Sequence, residues 1–472
     1  MGKAKKSTDT NTDSSTDMES FYHVCRAVES AFEKEWERTD EEAKRIKLER
    51  EKRAIMGYPG EMEFYKERIK EILIGQKLTD SFYPEWFPNL HEAIFAELYG
   101  LSGLAPWAYD MSEKYRKSPS AKLIGDNLFC LIDGKEELQP QKIHKERRNK
   151  LKRTLLLSTP MERLEYGFHE IYLINGIRIT IYSGHRTKEN QDVMVFRKYI
   201  LKNYDFKTLI KCKTVSKECV NVFRRMIEIG FNIIIVGRVR SGKTTFLQIW
   251  QSFENPKLEG VAIATDPETP WHRIMPDVPI MQLVADNEEL EVISKSLLRG
   301  DNDYILLEEM RDAAAYKLAV DITSTGTVRS KATIHDSSGI NVPYKMASKI
   351  TEKYGEKMNP MIAQIYTNFD YAIELCQHPE DPARKVVRGI LEYTYSIDKD
   401  CIDATYICKY DFQKDKWIWN QHMGKDKFER FYGREKELLE LYSYLGTLMS
   451  FESADVEWTY RPAYYESGGC NG

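Results

Sequence analysis

Residues 232–244 read Asn232-Ile233-Ile234-Ile235-Val236-Gly237-Arg238-Val239-Arg240-Ser241-Gly242-Lys243-Thr244, an apolar run of strand length followed by a glycine-bounded loop. A helical apolar pattern, Thr244–Ser252, follows at once. The GxxxxGK[ST] spacing therefore sits between a buried strand and a helix start, the context in which it forms a phosphate loop. Gly237 and Gly242 permit the tight turn that aims successive backbone N–H groups at phosphate oxygens. The helix N-terminus adds partial positive charge. Lys243 is expected to reach the β- and γ-phosphates, and the Thr244 hydroxyl to take a Mg2+ position. The run from Gly237 through Arg238, Val239, Arg240, Ser241, Gly242, Lys243 and Thr244 to Thr245 thus predicts binding of a nucleoside triphosphate, ATP. Arg238 and Arg240 either add charge at the phosphates or point to solvent, and the sequence leaves both readings open.

Outward from this loop the chain alternates strand and helix. Helix Ser216–Ile229 and strand Asn232–Val236 precede it; strand Val261–Ala264, helix Leu290–Leu298, strand Tyr304–Leu307, helix Ala313–Ile322 and strand Lys331–Ile334 follow. That rhythm predicts an α/β domain over 206–460 with a mainly parallel sheet and helices on both faces. Its end is aromatic-rich, with an expected hairpin at Tyr410–Trp419, a helix at Lys427–Leu448 and a loose tail at 461–472. Strand Tyr304–Leu307 ends in Glu308-Glu309, which sets a carboxylate where a metal-bound triphosphate and attacking water require one.

Upstream, residues 57–205 predict a smaller α+β domain. Helices are expected at Glu61–Gly75 and Leu90–Tyr99, strands at Lys122–Ile124 and Asn127–Ile132, then a basic helix from Lys142 to Leu157. Strands Glu170–Leu173 and Ile177–Tyr182 flank Asn175-Gly176, a strong hairpin signal, and Val193–Phe196 closes the unit. Residues 1–19 are polar, with a Ser/Thr/Asp-rich core at 7–19, and are read as disordered. Residues 20–56 are read as a charged helical extension, since 17 of the 25 residues from Glu29 to Arg53 are charged. A solvated face and a partner-docking arm are the two readings of that stretch.

Composition bounds the function. The net charge of −4 over 472 residues gives no drive toward nucleic acid or an anionic membrane. The eight cysteines form no CxxC pair, which suggests neither a zinc ribbon nor a disulfide framework. No apolar run approaches the ~20 residues of a spanning helix, and no signal peptide is seen. The expected location is the cytoplasm, with membrane association through partners only. The basic helix Lys142–Leu157 could touch phosphates of nucleic acid, but direct nucleic-acid binding is not expected of a slightly acidic chain.

The ordered set of motifs resembles the secretion traffic ATPases of type II and type IV secretion, conjugation and type IV or Tad pilus assembly. The lead-in Leu298-Arg299 to Asp303, the strand ending Glu308-Glu309-Met310-Arg311-Asp312, and Thr325-Gly326 with Ala332-Thr333-Ile334-His335 match the family's acid and histidine boxes. Glu97–Leu104, Gly176–Thr180 and Phe196–Lys198 resemble its amino-terminal domain. The resemblance implies a RecA-like ATPase domain preceded by that smaller domain, in a homo-oligomeric ring, usually a hexamer. It also implies a partner such as an inner-membrane platform or coupling protein. Glu309 takes the place of the catalytic acid, His335 that of a γ-phosphate sensor, and Arg178 and Arg197 match arginines aimed at the nucleotide. The catalytic set it implies is Glu309, Lys243, His335 and Asp266, with Thr244 and Glu309 at Mg2+.

One departure stands out. The acidic box should begin Glu-Asp, but here reads Thr265-Asp266-Pro267-Glu268. The missing acid is either lost or supplied by Glu268 or Glu308. Absence of a tetracysteine zinc module favours the conjugation or Tad-pilus branch. A nucleotide-binding regulator with impaired hydrolysis and a RecA-like DNA motor are the alternatives.

Overall fold

The computed structural model describes residues 13–36, 41–159, 167–188, 191–198, 205–265, 269–285, 287–449 and 456–465. It divides into two compact units, Met1–Ile200 and Leu201–Gly472.

The first unit opens with helices α1 (Asp13–Trp36), α2 (Glu41–Ile55), α3 (Pro59–Gly75), α4 (Leu90–Tyr99), α5 (Ala105–Ala108) and α6 (Glu113–Arg116). Strands β1 (Ser120–Ile124), β2 (Asn127–Ile132) and β3 (Lys135–Lys142) follow. Helix α7 (Lys145–Leu157) and strands β4 (Phe168–Tyr172), β5 (Arg178–Tyr182) and β6 (Val193–Arg197) complete it. The sheet is antiparallel, in the order β3-β2-β1-β6-β5-β4. Period-two alternation buries Ile171, Ile179, Ile181, Met194 and Phe196 on one face. In the same core lies the helical stripe Phe21, Val24, Val28 and Phe32 of α1, with Tyr65 of α3 stacked on Tyr99 of α4 at 4.2 Å.

Three expectations for this half change. α1 starts at Asp13, inside the stretch read as disordered; once the buried stripe nucleates a helix, each added residue is cheap. The charged segment is no separate extension either. The α1 stripe is core, and α2 packs on α3 and α7, with Ala54 and Ile55 buried, Lys47, Arg50, Glu51 and Lys52 half-buried and its other described charges exposed. The basic helix begins at Lys145, because Lys135–Lys142 forms a third strand whose exposed, Pro-containing sequence carries little apolar signal. The cations of α7 are largely engaged within the fold. Arg147 donates to the carbonyls of Ala96 and Gly100, Arg148 pairs with Asp126, Lys150 with Glu29 at 2.8 Å and Lys152 with Asp192 at 3.0 Å.

The second unit runs through α8 (Phe206–Lys211), α9 (Lys217–Ile229), β7 (Ile233–Gly237), α10 (Lys243–Ser252), β8 (Gly260–Ala264), α11 (Trp271–Ile274) and β9 (Ile280–Val284). Next come α12 (Asn287–Leu297), β10 (Tyr304–Met310), α13 (Ala313–Ser324), β11 (Lys331–Ile334), α14 (Val342–Tyr354), α15 (Met358–Asn368) and β12 (Tyr371–Gln377). It ends with β13 (Lys385–Ser396), β14 (Cys401–Asp411), β15 (Lys416–Trp419), α16 (Lys425–Arg430), α17 (Glu435–Leu448) and β16 (Thr459–Tyr460). The sheet order is β15-β14-β13-β12-β7-β11-β10-β8-β9, with β16 on β14. From β12 to β9 neighbouring strands are parallel; β13 to β16 add an antiparallel half. The isoleucine run is explained by β7 being buried on both faces. Ile233 and Ile235 pack with α9, α10 and α17, while Ile234 and Val236 pack with α13, α14 and α15.

The carboxy-terminal expectations are refined. The helix read at Lys427–Leu448 is two helices, parted near Gly433 at φ +80°, and an unanticipated edge strand, β9, lies beside β8. The segment read as a loose tail from 461 is packed as far as residue 465. Tyr464 donates its hydroxyl to the Ile340 carbonyl at 2.8 Å, and Arg461 pairs with Asp403 at 3.0 Å. Residues 466–472 lie outside the described residues.

Candidate nucleotide site

Strands β7, β10 and β11 are adjacent and parallel, so their carboxyl ends bring together loops that are far apart in sequence. The phosphate loop leaves β7 at Gly237. A Cβ there would lie 2.4 Å from Ser241 Oγ and 2.5 Å from the Leu375 carbonyl, so no larger residue fits. Arg240 at φ +63° and Gly242 at φ +91° complete the turn into α10. Ser241 Oγ is buried without a hydrogen-bond partner among the described residues, leaving a donor available inside the loop. Arg238, Val239 and Arg240 are exposed; Thr244 and Thr245 are half-buried in the first turn of α10.

Lys243 folds back over its own loop. Its ammonium donates to the carbonyls of Gly237 at 2.9 Å and Arg238 at 3.2 Å, and meets His335 Nδ1 at 3.0 Å. Because the ammonium can only donate, Nδ1 accepts and the ring proton sits on Nε2. Nε2 in turn lies 2.7 Å from Glu309 Oε1. His335 follows β11 directly, and Lys345 donates to its carbonyl.

Glu309 sits in a β-bulge of β10 with φ +60°, a conformation L-residues adopt at a cost. Its own N–H is held by Thr333 Oγ1 at 2.8 Å. The two consecutive glutamates have different partners. Glu309 faces His335 and accepts from Arg311 at 2.6 Å, whereas Glu308 accepts from the indole N–H of buried Trp271 at 2.5 Å. Burial alone would raise the Glu309 carboxyl, but the hydrogen bonds of His335 and Arg311 outweigh it and bring its pKa down to about 2.

Thr265 is exposed just after β8, and Asp266, Pro267 and Glu268 lie outside the described residues. In the first unit, Arg178 and Arg197 are direct partners across β5 and β6. Like charges so opposed repel; Glu170, 2.6 Å from Arg178, offsets part of that.

Sequence reasoning did not assign roles to Arg311, Thr333, Trp271 or Lys385. Arg311 had a signal, standing two residues beyond Glu309. Lys385 lays its stem beside Gly242, 3.5 Å from where a Cβ would be, a contact only the β12–β13 turn creates.

Fold and site together define a phosphate-loop domain of the RecA-like α/β class, preceded by a smaller α+β unit. Residues 189–403 match the model of the family described as type II/IV secretion system protein. An uncharacterized protein of Methanocaldococcus jannaschii is 28% identical over 134 residues, covering 28% of this chain and 49% of that relative. The chain thus matches about half the length of that curated relative. Among solved structures, the VirB11 ATPase of the Brucella suis type IV secretion system, in complex with sulphate, is 16% identical. It covers 61% of this chain and 95% of its own at a TM-score of 0.32. The pilus retraction motor PilT with bound ADP is 13% identical (73% and 90% covered, TM-score 0.45). The Legionella pneumophila ATPase DotB is likewise 13% identical (73% and 86%, TM-score 0.44). No described helix is long and apolar enough to cross a membrane.

Proposed function

We propose that this chain hydrolyses ATP and works as a traffic motor in a homo-oligomeric ring, a hexamer, at the cytoplasmic face of a secretion, conjugation or pilus assembly machine. The observation that carries this reading is the hydrogen-bonded chain Lys243–His335–Glu309. It joins the cation of a phosphate loop to a carboxylate held ionised, the pair that phosphoryl transfer to water requires.

The glycine cradle at Gly237 and the buried, unpartnered Ser241 hydroxyl suit a phosphate chain. On binding, Lys243 exchanges its loop carbonyls for phosphate oxygens. That exchange removes the donor from His335 Nδ1 and frees the ring to respond to the terminal phosphate. Glu309 orients and deprotonates the attacking water once its bond to Arg311 is loosened. The Thr244 hydroxyl and the Glu309 carboxylate are hard oxygen donors of the kind that hold Mg2+ beside phosphates. When bound, Mg2+ neutralises charge on the leaving phosphates. Arg178 and Arg197, paired across their strands, are assigned to the nucleotide as further cations. The partner is an inner-membrane platform or coupling protein; membrane association runs through it.

The test is steady-state ATPase activity of the full chain with Mg2+. Turnover abolished by Lys243→Ala supports the site, and a variant that still turns over sinks it. Light scattering with a Mg·ATP analogue tests the ring, which does not survive if only monomer is seen at micromolar concentrations.

A further inference from the structure

We propose that Glu374 is a positioning residue for His335, and that through it the antiparallel half of the sheet acts on the chemistry. This rests on the reading of the site as an ATPase centre. β12 pairs directly with β7, aligning Glu374 with Val236 and Leu375 with Gly237. Glu374 therefore stands one residue from the root of the phosphate loop, on a strand otherwise buried and uncharged from Tyr371 to Leu375. It is 3% exposed. A carboxylate so buried persists only where its oxygens are fully engaged.

They are, and one engagement is not explained by charge balance alone. Oε2 accepts from Arg388 through Nε at 3.1 Å and a terminal nitrogen at 2.7 Å, which suffices to pair the charge. Tyr406 donates to both oxygens at 3.1 Å. Oε1 is spent on the loop after His335: it accepts from the Gly339 N–H at 2.5 Å and from the Ser338 hydroxyl at 3.4 Å. Glycines clear the room for this. A Cβ at Gly339 would lie 3.3 Å from Oε1 and 2.9 Å from Ala372 Cβ, and one at Gly389 would lie 3.1 Å from Oε2.

The same loop is held from two more directions. Tyr393 of β13 donates to the Gly339 carbonyl at 2.6 Å, and Tyr464 of the carboxy-terminal segment donates to the Ile340 carbonyl at 2.8 Å. The contacts of His335 at 3.0 and 2.7 Å leave little tolerance for a shifted loop. Glu374, Tyr393 and Tyr464 hold that position through the side-chain hydrogen bonds they make to residues 338–340.

The test compares full-length Glu374→Gln and Tyr464→Phe with the wild type by ATPase kinetics, ATP-analogue affinity and amide hydrogen exchange. In Glu374→Gln, kcat should fall about tenfold or more, since small displacements near the chemistry are costly. Analogue affinity should stay within about twofold, the pattern of an interaction needed in the transition state. Amides 336–341 should exchange faster, while those of β7 and α10 keep their protection. Tyr464→Phe should move kcat and exchange in the same direction by less. A kcat within about twofold of wild type in both variants overturns the inference. So does a joint loss of kcat and affinity with faster exchange across the whole sheet, which is general loosening. Wild type without Lys243-dependent turnover would instead remove the ATPase reading itself. If Glu374→Gln does not fold, Tyr393→Phe and Tyr464→Phe, which keep their rings, decide the matter.

Discussion

His335 Nε2 lies 2.7 Å from Glu309 Oε1, across the join between β11 and β10. The contact is made at the bulge in β10, where the register against β11 shifts between Leu307 and Met310 and the backbone at Glu309 leaves the regular strand conformation. The bulge, the positive φ at Glu309 and the Thr333 hydroxyl on its N–H together select which glutamate meets the histidine.

That selection predicts unequal glutamates. Glu309→Gln should retain ATP binding and slow hydrolysis about 10²-fold or more, the scale of a positioned acid–base group. Glu308→Gln keeps an acceptor for Trp271 and should cost far less. Single-turnover hydrolysis of the two variants separates them; equal losses would move the assignment to the pair.

The phosphate loop has no room at its first glycine. Gly237→Ala brings a Cβ to 2.4 Å from Ser241 Oγ and 2.5 Å from the Leu375 carbonyl. Affinity for an ATP analogue should drop steeply in calorimetry, whereas Gly326→Ala, with open space around it, tests only the strain of its positive φ and should bind normally.

The depressed carboxyl of Glu309 links stability to pH. Its pKa falls from 4.5 to about 2 on folding, so the folded state binds fewer protons than the unfolded state between those values. Its stabilisation is complete above about pH 5 and is lost as pH falls from 4.5 through 2. Denaturation of wild type and Glu309→Gln from pH 7 to 3 should show a constant difference that changes only below that upper bound, with wild type losing ground.

At the other end of the sheet, Lys331 is fully buried against Glu254 at 2.6 Å, with Arg329 also on Glu254 at 2.8 Å. Burial lowers the Lys331 ammonium to about 8 despite that partner. Glu254→Gln strands two cations and should cost about 3–5 kcal/mol by chemical denaturation. The loss should shrink as pH rises toward about 8, because without Glu254 the buried Lys331 ammonium sheds its proton below that value, and should level off above it.

Local sequence was sufficient wherever a short-range pattern carried the physics. The glycine spacing of the phosphate loop, the isoleucine run of β7 and the Asn175-Gly176 turn all act over a few residues, and the structure has each in its expected form. Helix α4 begins and ends at the expected residues because Asn89 caps it, accepting from the Glu92 N–H. Patterns of composition were weaker guides. The apolar stripe of α1 was legible at three- and four-residue steps, but the charge density of α2 hid the burial of Ala54 and Ile55, and the polar edge strand β3 offered no alternation to read.

What tertiary structure alone decided is which distant residues meet. Parallel pairing of β7, β10 and β11 sets Lys243, Glu309 and His335 in one hydrogen-bonded chain, and antiparallel pairing aligns Arg178 with Arg197. The lone glutamate in an apolar strand could have flagged Glu374 as a buried, obliged group. Its partners, Gly339, Arg388 and Tyr406, come from three other segments, so only sheet order could name them. Sequence determines what a segment can form locally; register and strand order, set by burying both faces of β7, determine what it touches.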